Sequence, residues 1–172
     1  MKRLKNWGIL VGLLCCGMAA AQVRTAGDID ARAFVIGLDA YVYNNGPLRF
    51  SAAGRSFTAT PSGASVALSG AASATFPFGT ADLLVGIHDF TGDQEPELVV
   101  GERLPSGVKT HVYRLSGGSW QEIGALSIPG GTECRIFRQA LTVKDPSNGV
   151  LHSWTWHGDR FDYKSSENGS SY

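Results

Sequence analysis

The chain has 172 residues, of which 43% are hydrophobic, and its 15 Lys and Arg balance its 15 Asp and Glu. No cluster of basic residues occurs beyond the first few positions, which excludes nucleic acid as a predicted partner. The length suits one domain with an apolar core of useful size.

The first residues are predicted to direct export. Three basic residues lie among the first five positions, the apolar stretch 7–18 follows, and small residues end at Ala21. This stretch is shorter than the roughly 20 residues of a membrane-spanning helix, which favours a cleaved bacterial signal peptide at residues 1–21. The mature protein is therefore predicted to be periplasmic or secreted, without a stable membrane span. Its only cysteine is Cys134, so no internal disulfide is expected.

Residues 22–80 are predicted to form short strands rich in Ser, Ala and Gly. Residues 33–43 alternate in the manner of a strand, which their aromatic and β-branched content favours over the alternative of a helix. NNGP at 44–47 predicts a turn. Across residues 48–78, Phe, Val and Leu recur between Gly, Pro and Ser, which is typical of a meander of short strands. The alternative for this region is low-complexity disorder, although disordered tracts rarely carry so many aromatic residues.

The second half of the chain predicts a series of antiparallel hairpins. Its strand-like segments are 81–90, 96–104, 108–128, 133–145 and 149–164. Residues 112–124 and 153–164 share one order, namely an alternating strand, a Gly turn, an aromatic residue and a second strand, which indicates a repeated unit. The predicted fold class is all-β, with antiparallel hairpins or a meander in a single domain at 22–164, arranged like β-propeller blades or a sandwich. Residues 165–172 are predicted to be a flexible tail.

One predicted hairpin loop carries acidic residues at an even spacing. Asp89, Asp93 and Glu97 lie four residues apart, with Thr91 and Glu95 between them. Calcium takes six to eight oxygen ligands at about 2.3–2.6 Å, and this loop offers four side chains and the main-chain carbonyl of Glu95. Three carboxylates close together repel one another unless a cation neutralises them. The alternative is a polar turn in which Asp side chains accept hydrogen bonds from backbone N–H groups.

The segment DFTGDQEPELVVG, which begins at Asp89, resembles the calcium loop of FG-GAP or VCBS-type (integrin-like) repeats. The usual form of that loop is Asp-Phe-Asn/Asp-Gly-Asp-Gly-x-Pro-Asp-Leu. The resemblance covers roughly residues 81–164 and implies that the loop joins two antiparallel strands and holds calcium. It places Asp89, Asp93 and Glu97 in ligand positions.

Two residues depart from the pattern of that family. Thr91 stands where an Asn or Asp ligand is usual, and Gln94 stands where a Gly permits a positive φ angle. A residue with a Cβ adopts that angle at a cost. Both departures imply that any calcium is bound with low affinity.

The remaining chemistry-bearing residues form no recognised catalytic motif. The chain contains no Gly-x-Ser-x-Gly, no Gly-x-x-x-x-Gly-Lys and no His-Glu-x-x-His, so a non-catalytic protein is predicted. Trp154 and Trp156 share one side of a predicted strand, where they would offer a stacking surface to a binding partner. The alternative is that they belong to the core, because a small β domain without disulfides needs large apolar side chains.

These patterns together predict an exported, non-catalytic binding module with calcium as its cofactor. Its partner would be a protein or a carbohydrate of the cell envelope. Two other classes remain open. The first is a periplasmic inhibitor or immunity-type protein that acts against a secreted hydrolase, and the second is a hydrolase with an unrecognised site. A pull-down that recovers a lytic enzyme would favour the inhibitor, and an activity abolished by one acidic substitution would favour the hydrolase.

Overall fold

The structure is a computed structural model that describes residues 41–44, 46–131, 133–137 and 139–166. The predicted signal peptide at 1–21, most of the predicted strand at 33–43 and the end of the predicted tail, 167–172, lie outside these residues. Ser165 and Ser166, also assigned to the tail, lie in the last strand.

The described residues form thirteen strands and no helix, which confirms the predicted all-β class. The strands are β1 (Tyr41–Asn44), β2 (Leu48–Ala52), β3 (Arg55–Pro61), β4 (Ser65–Gly70), β5 (Ala74–Pro77), β6 (Leu83–His88), β7 (Glu97–Leu104), β8 (Gly107–Ser116), β9 (Ser119–Ser127), β10 (Glu133–Phe137), β11 (Ala140–Lys144), β12 (Leu151–His157) and β13 (Arg160–Ser166).

Three antiparallel sheets follow one another along the chain. The first sheet has the order β2-β3-β4-β5, the middle sheet β1-β6-β7-β8-β9 and the third sheet β10-β11-β12-β13. Apart from β1, each sheet is a four-stranded meander, which is the arrangement of strands in a propeller blade. The Ser/Ala/Gly-rich region at 48–78 therefore forms the four strands of the first sheet and is not a linker.

Strands β6, β7 and β8 of the middle sheet are largely buried on both faces, because the other two sheets cover them from opposite sides. Leu83 and Val85 of β6 pack with residues of the first sheet, such as Phe57, in one core. Leu84 packs in a second core with residues of the third sheet, such as Ile136. Period-two alternation along each strand sends successive side chains into the two cores, so β6 and β7 carry nearly continuous buried residues.

The two segments predicted to be a repeated unit occupy equivalent places. Residues 112–124 span most of the β8–β9 hairpin, and residues 153–164 span most of the β12–β13 hairpin. Each hairpin joins the third and fourth strands of a meander. The turns use glycines with positive φ, at Gly117 and Gly118 in the middle sheet and at Gly158 in the third. The shared sequence order therefore reflects a shared position in the sheet.

Candidate functional site

The acidic loop joins β6 to β7, and hydrogen bonds to the Asp89 side chain stabilise its turn. The Asp89 Oδ1 accepts a hydrogen bond from the Gly92 N–H at 2.7 Å, and Oδ2 accepts one from the Gln94 N–H at 2.9 Å. Gly92 and Gln94 have φ angles of 74° and 68°. The Gln94 angle confirms that this position requires positive φ in a residue with a Cβ. The hydrogen bonds also match the predicted alternative, in which Asp caps backbone groups of the turn.

Glu97 begins β7 and is buried, with a relative exposure of 1%. Its carboxylate accepts a hydrogen bond from the Phe90 N–H at 2.8 Å and another from the Thr91 hydroxyl at 3.0 Å. Burial, together with the smaller effect of the Asp89 charge, raises the pKa of Glu97 to about 7, although these hydrogen bonds act to lower it. The loop therefore holds a carboxylate that would gain from a nearby cation.

Asp93 lies at the exposed tip and contacts a cation of the neighbouring strand. Its Oδ1 accepts a hydrogen bond from the Glu95 N–H at 2.9 Å, and its Oδ2 accepts one from Arg114 Nη2. Burial acts to raise the pKa of Asp93, but the Glu95 N–H, the Arg114 guanidinium and the Thr91 hydroxyl outweigh it and lower that pKa. Arg114 also places its Nε 3.8 Å from Glu97 Oε1.

Three of the five predicted ligands converge and a fourth lies beside them. Carboxylate oxygens of Asp89, Asp93 and Glu97 all lie within 4.8 Å of one another, and the Thr91 hydroxyl contacts Glu97. The predicted ligand atom of Glu95 is its main-chain carbonyl oxygen, which stays a prediction. Its side chain is directed to the β2–β3 turn, where the carboxylate accepts a hydrogen bond from the Ala53 N–H. The donor set consists of hard oxygens and so fits calcium. The Arg114 guanidinium contacts Asp93 and lies 3.8 Å from Glu97, so it would compete with a cation for these oxygens.

A cleft of about 530 Å³ opens beside this loop, between the middle and third sheets. Its lining residues are Phe90, Thr91, Gly92, Arg114, Gln139, Trp156, His157 and Gly158. Trp156 is half-buried and packs edge-on against Phe161, with ring centroids 5.1 Å apart. Trp154, the other residue of the predicted stacking surface, is buried at 7% exposure in the core between the two sheets. Both tryptophans pack in the same core, but Trp154 is buried whereas the half-buried Trp156 also lines the cleft.

Arg114 is the site residue that sequence reasoning missed. The register pairs Leu98 of β7 with Tyr113 of β8, so Glu97 and Arg114 lie side by side one position further along. Segments 96–104 and 108–128 are already predicted to be neighbouring strands. Aligning these two strands in their antiparallel register would have placed Arg114 beside Glu97 and the acidic loop.

A second polar cluster lies on the opposite face of the middle sheet. The His111 Nδ1 lies 2.7 Å from Glu122 Oε1, and its Nε2 lies 3.3 Å from Glu102 Oε2. Glu102 also accepts a hydrogen bond from the Gly79 N–H, and the His111 ring meets that of Phe78 edge-on at 5.1 Å. This cluster fastens the connection between β5 and β6 to the middle sheet, which is a structural role.

Comparison of the chain with protein-family models, with curated proteins and with solved structures finds no match. Within the part of the chain that the structure describes, no helix has the length and apolar character needed to cross a membrane.

Proposed function

We propose that this chain is an exported, non-catalytic binding module of the FG-GAP or VCBS type, in which loop 89–97 takes calcium with low affinity. The observation that carries the proposal is the convergence of Asp89, Asp93 and Glu97, whose carboxylate oxygens lie within 4.8 Å of one another. The position of the loop supports the proposed resemblance, because it joins two antiparallel strands, β6 and β7.

Asp89, Asp93 and Glu97 would hold the ion, and the Thr91 hydroxyl lies close enough to the cluster to add a neutral oxygen. When bound, calcium neutralises the mutual repulsion of the three carboxylates and stiffens the loop. Arg114 lowers the affinity, because it already supplies Asp93 with a positive charge. A dissociation constant of about 0.1–1 mM, typical of weak extracellular sites, is expected.

A thermal melt of the protein in calcium and in chelator tests this proposal. A ligand that binds only the folded state stabilises it by RT ln(1 + [L]/Kd), so the stabilisation grows with the ratio of the free ligand concentration to its dissociation constant. In 10 mM calcium we expect the melting temperature to rise by roughly 3–10 °C. Asp93→Asn should lose most of this rise, because it removes one of the converging charges.

Glu95→Gln is the matched control for Asp93→Asn. It also removes one acidic charge from the loop, yet the Glu95 side chain faces Ala53 and not the cluster. Its calcium-dependent rise should equal that of the unmodified protein. Equal melts in calcium and chelator, or equal losses in the two variants, would rule out a calcium site built from these carboxylates.

A further inference from the structure

Arg114 belongs to two features of the molecule at once. Its guanidinium contacts Asp93 and lies near Glu97 in the acidic cluster, and it also lines the cleft between the middle and third sheets. Its side chain is 38% exposed. Its Nη2 donates the hydrogen bond to Asp93 Oδ2. Any change in the partners of the acidic cluster therefore alters the charge presented to the cleft.

Arg114 and a bound cation compete for the same oxygens. The Oδ2 of Asp93 accepts from Arg114, and Asp93 is one of the three converging carboxylates. Two positive charges that share one carboxylate also repel each other. Occupation of the cluster by a dication therefore weakens the hold of Asp93 on Arg114 and leaves the guanidinium available to the cleft.

The rest of the cleft lining suits a ring-shaped polar ligand. Trp156 gives a half-buried aromatic surface, and aromatic side chains bind flat apolar faces well. Gln139 adds an exposed amide, and His157, whose Nδ1 lies 2.7 Å from Asp162 Oδ2, adds the Nε2 of its imidazole; both can exchange hydrogen bonds with hydroxyl groups. None of the residues that line the cleft is acidic, but Glu97 lies 3.8 Å from Arg114 and Asp162 lies 2.7 Å from His157. A ligand carboxylate would therefore bind Arg114 best when a dication neutralises the acidic cluster.

We infer that the cleft binds a carboxylated saccharide, and that the calcium proposed above and this ligand bind cooperatively through Arg114. The apolar face of the sugar ring stacks on Trp156, and Arg114 donates hydrogen bonds to the carboxylate of the sugar in the bidentate geometry that guanidinium groups favour. Linkage requires the effect to be reciprocal, so the saccharide raises the affinity for calcium by the factor by which calcium raises the affinity for the saccharide. The inference rests on the proposed calcium site.

Binding of glucuronic acid, followed by calorimetry in calcium and in chelator, tests the inference. Glucose is the neutral control ligand. We expect glucuronate to bind at least fivefold more tightly in calcium than in chelator, and glucose to bind weakly and equally in both. Trp156→Ala should weaken glucuronate binding in calcium while leaving the calcium-dependent rise in melting temperature intact.

Arg114→Gln distinguishes ligand binding in the cleft from calcium binding by the acidic cluster. This variant should bind calcium several-fold more tightly than the unmodified protein, because it lacks the competing cation, and it should lose the preference for glucuronate over glucose. Arg114→Lys, which keeps the charge but not the bidentate geometry, should fall between them. Because glucuronate itself associates weakly with calcium, each variant is compared with the unmodified protein in the same calcium buffer.

The outcomes distinguish the two proposals. A calcium-dependent melt without calcium-dependent glucuronate binding leaves the calcium site in place and overturns the cleft inference. Equal binding of glucose and glucuronate, or unchanged glucuronate binding in Arg114→Gln, also overturns it. Weaker calcium binding by Arg114→Gln rules out the competition on which the coupling depends. The absence of any effect of calcium on the melt overturns both proposals.

Discussion

At the scale of single residues, one residue of the acidic loop, Gln94, has an unfavourable backbone conformation. Gln94 has a φ angle of 68°, in the left-handed region, where the Cβ of an L-residue comes close to the following carbonyl oxygen. Its N–H nevertheless donates to Asp89 at 2.9 Å. The hydrogen bond holds the turn and compensates part of the strain, so this position is the place to look for easily gained stability.

Gln94→Gly is expected to stabilise the protein by about 0.5–1 kcal/mol. Glycine adopts positive φ without a steric cost, although it loses more conformational entropy on folding, which limits the gain. Chemical denaturation in chelator measures the free energy of unfolding. Gln94→Ala is the matched control, because alanine keeps the Cβ and should give no gain. If both variants are less stable than the unmodified protein, the Gln94 side chain makes a favourable contact that outweighs its strain.

At the scale of elements, the third sheet approaches the middle sheet closely at one point. A Cβ added to Gly124 of β9 would lie 2.8 Å and 2.9 Å from two ring carbons of Phe161 on β13. The Phe161 ring also meets Phe90 and Trp156, with centroids 5.5 Å and 5.1 Å away. A ring held on several sides cannot move aside freely, so the absence of a side chain at Gly124 is a packing requirement.

Gly124→Ala is expected to destabilise the protein by about 1–3 kcal/mol, as overpacking of a fitted core does. The double variant Gly124→Ala/Phe161→Ala should be more stable than the sum of the two single effects predicts, because removal of the ring relieves the clash. Denaturant unfolding of the four proteins gives this coupling energy. A Gly124→Ala variant as stable as the unmodified protein, or strictly additive effects, would show that the contact is loose.

At the scale of the whole molecule, the two cores depend on one sheet. The middle sheet gives one face to the first sheet and the other to the third. Loss of either outer sheet would expose a full apolar face of the middle sheet to water, at about 25 cal/mol for each Å². The three sheets should therefore unfold together in one cooperative transition.

Cys134 reports on this cooperativity. Its thiol lies in the core between the middle and third sheets and accepts a hydrogen bond from the Thr110 hydroxyl at 3.3 Å. Burial raises the pKa of Cys134 to about 12 from an ordinary value of 9, so the folded protein holds roughly a thousandfold less of the reactive thiolate. The thiol should react only when the third sheet separates from the middle sheet.

In the chain lacking residues 1–21, where Cys134 is the only cysteine, labelling by a thiol reagent at pH 8 should require global unfolding, so the free energy of opening derived from labelling should equal the global free energy of unfolding. A Ser127→Cys/Cys134→Ser variant, which moves the thiol to an exposed position of β9, should label within the mixing time. Labelling of Cys134 much faster than global unfolding would show that the third sheet opens by itself.

The sequence predicts the strands and the loop better than it predicts the cleft. Alternation and turn residues act over a few positions, so the β class, the hairpin at 112–124 and the backbone angle at Gln94 follow from local patterns. The cleft draws on segments near positions 90, 114, 139 and 157, which meet only because the sheets stack. Nothing local distinguishes the buried Trp154 from the half-buried Trp156, since only the neighbouring sheet makes them different.

The burial of both faces of the middle sheet also affects how β6 finds its alignment with β7. In a sheet with one wet face, a slip of one residue is penalised because it turns apolar side chains towards water. Here a slipped strand would still present Leu or Val to each side, so this penalty is weak. The bonds from the Phe90 N–H and the Thr91 hydroxyl to Glu97 join the end of one strand to the start of the other. The hydrogen bonds of the acidic loop would thus select one strand pairing during folding, whether or not an ion binds there.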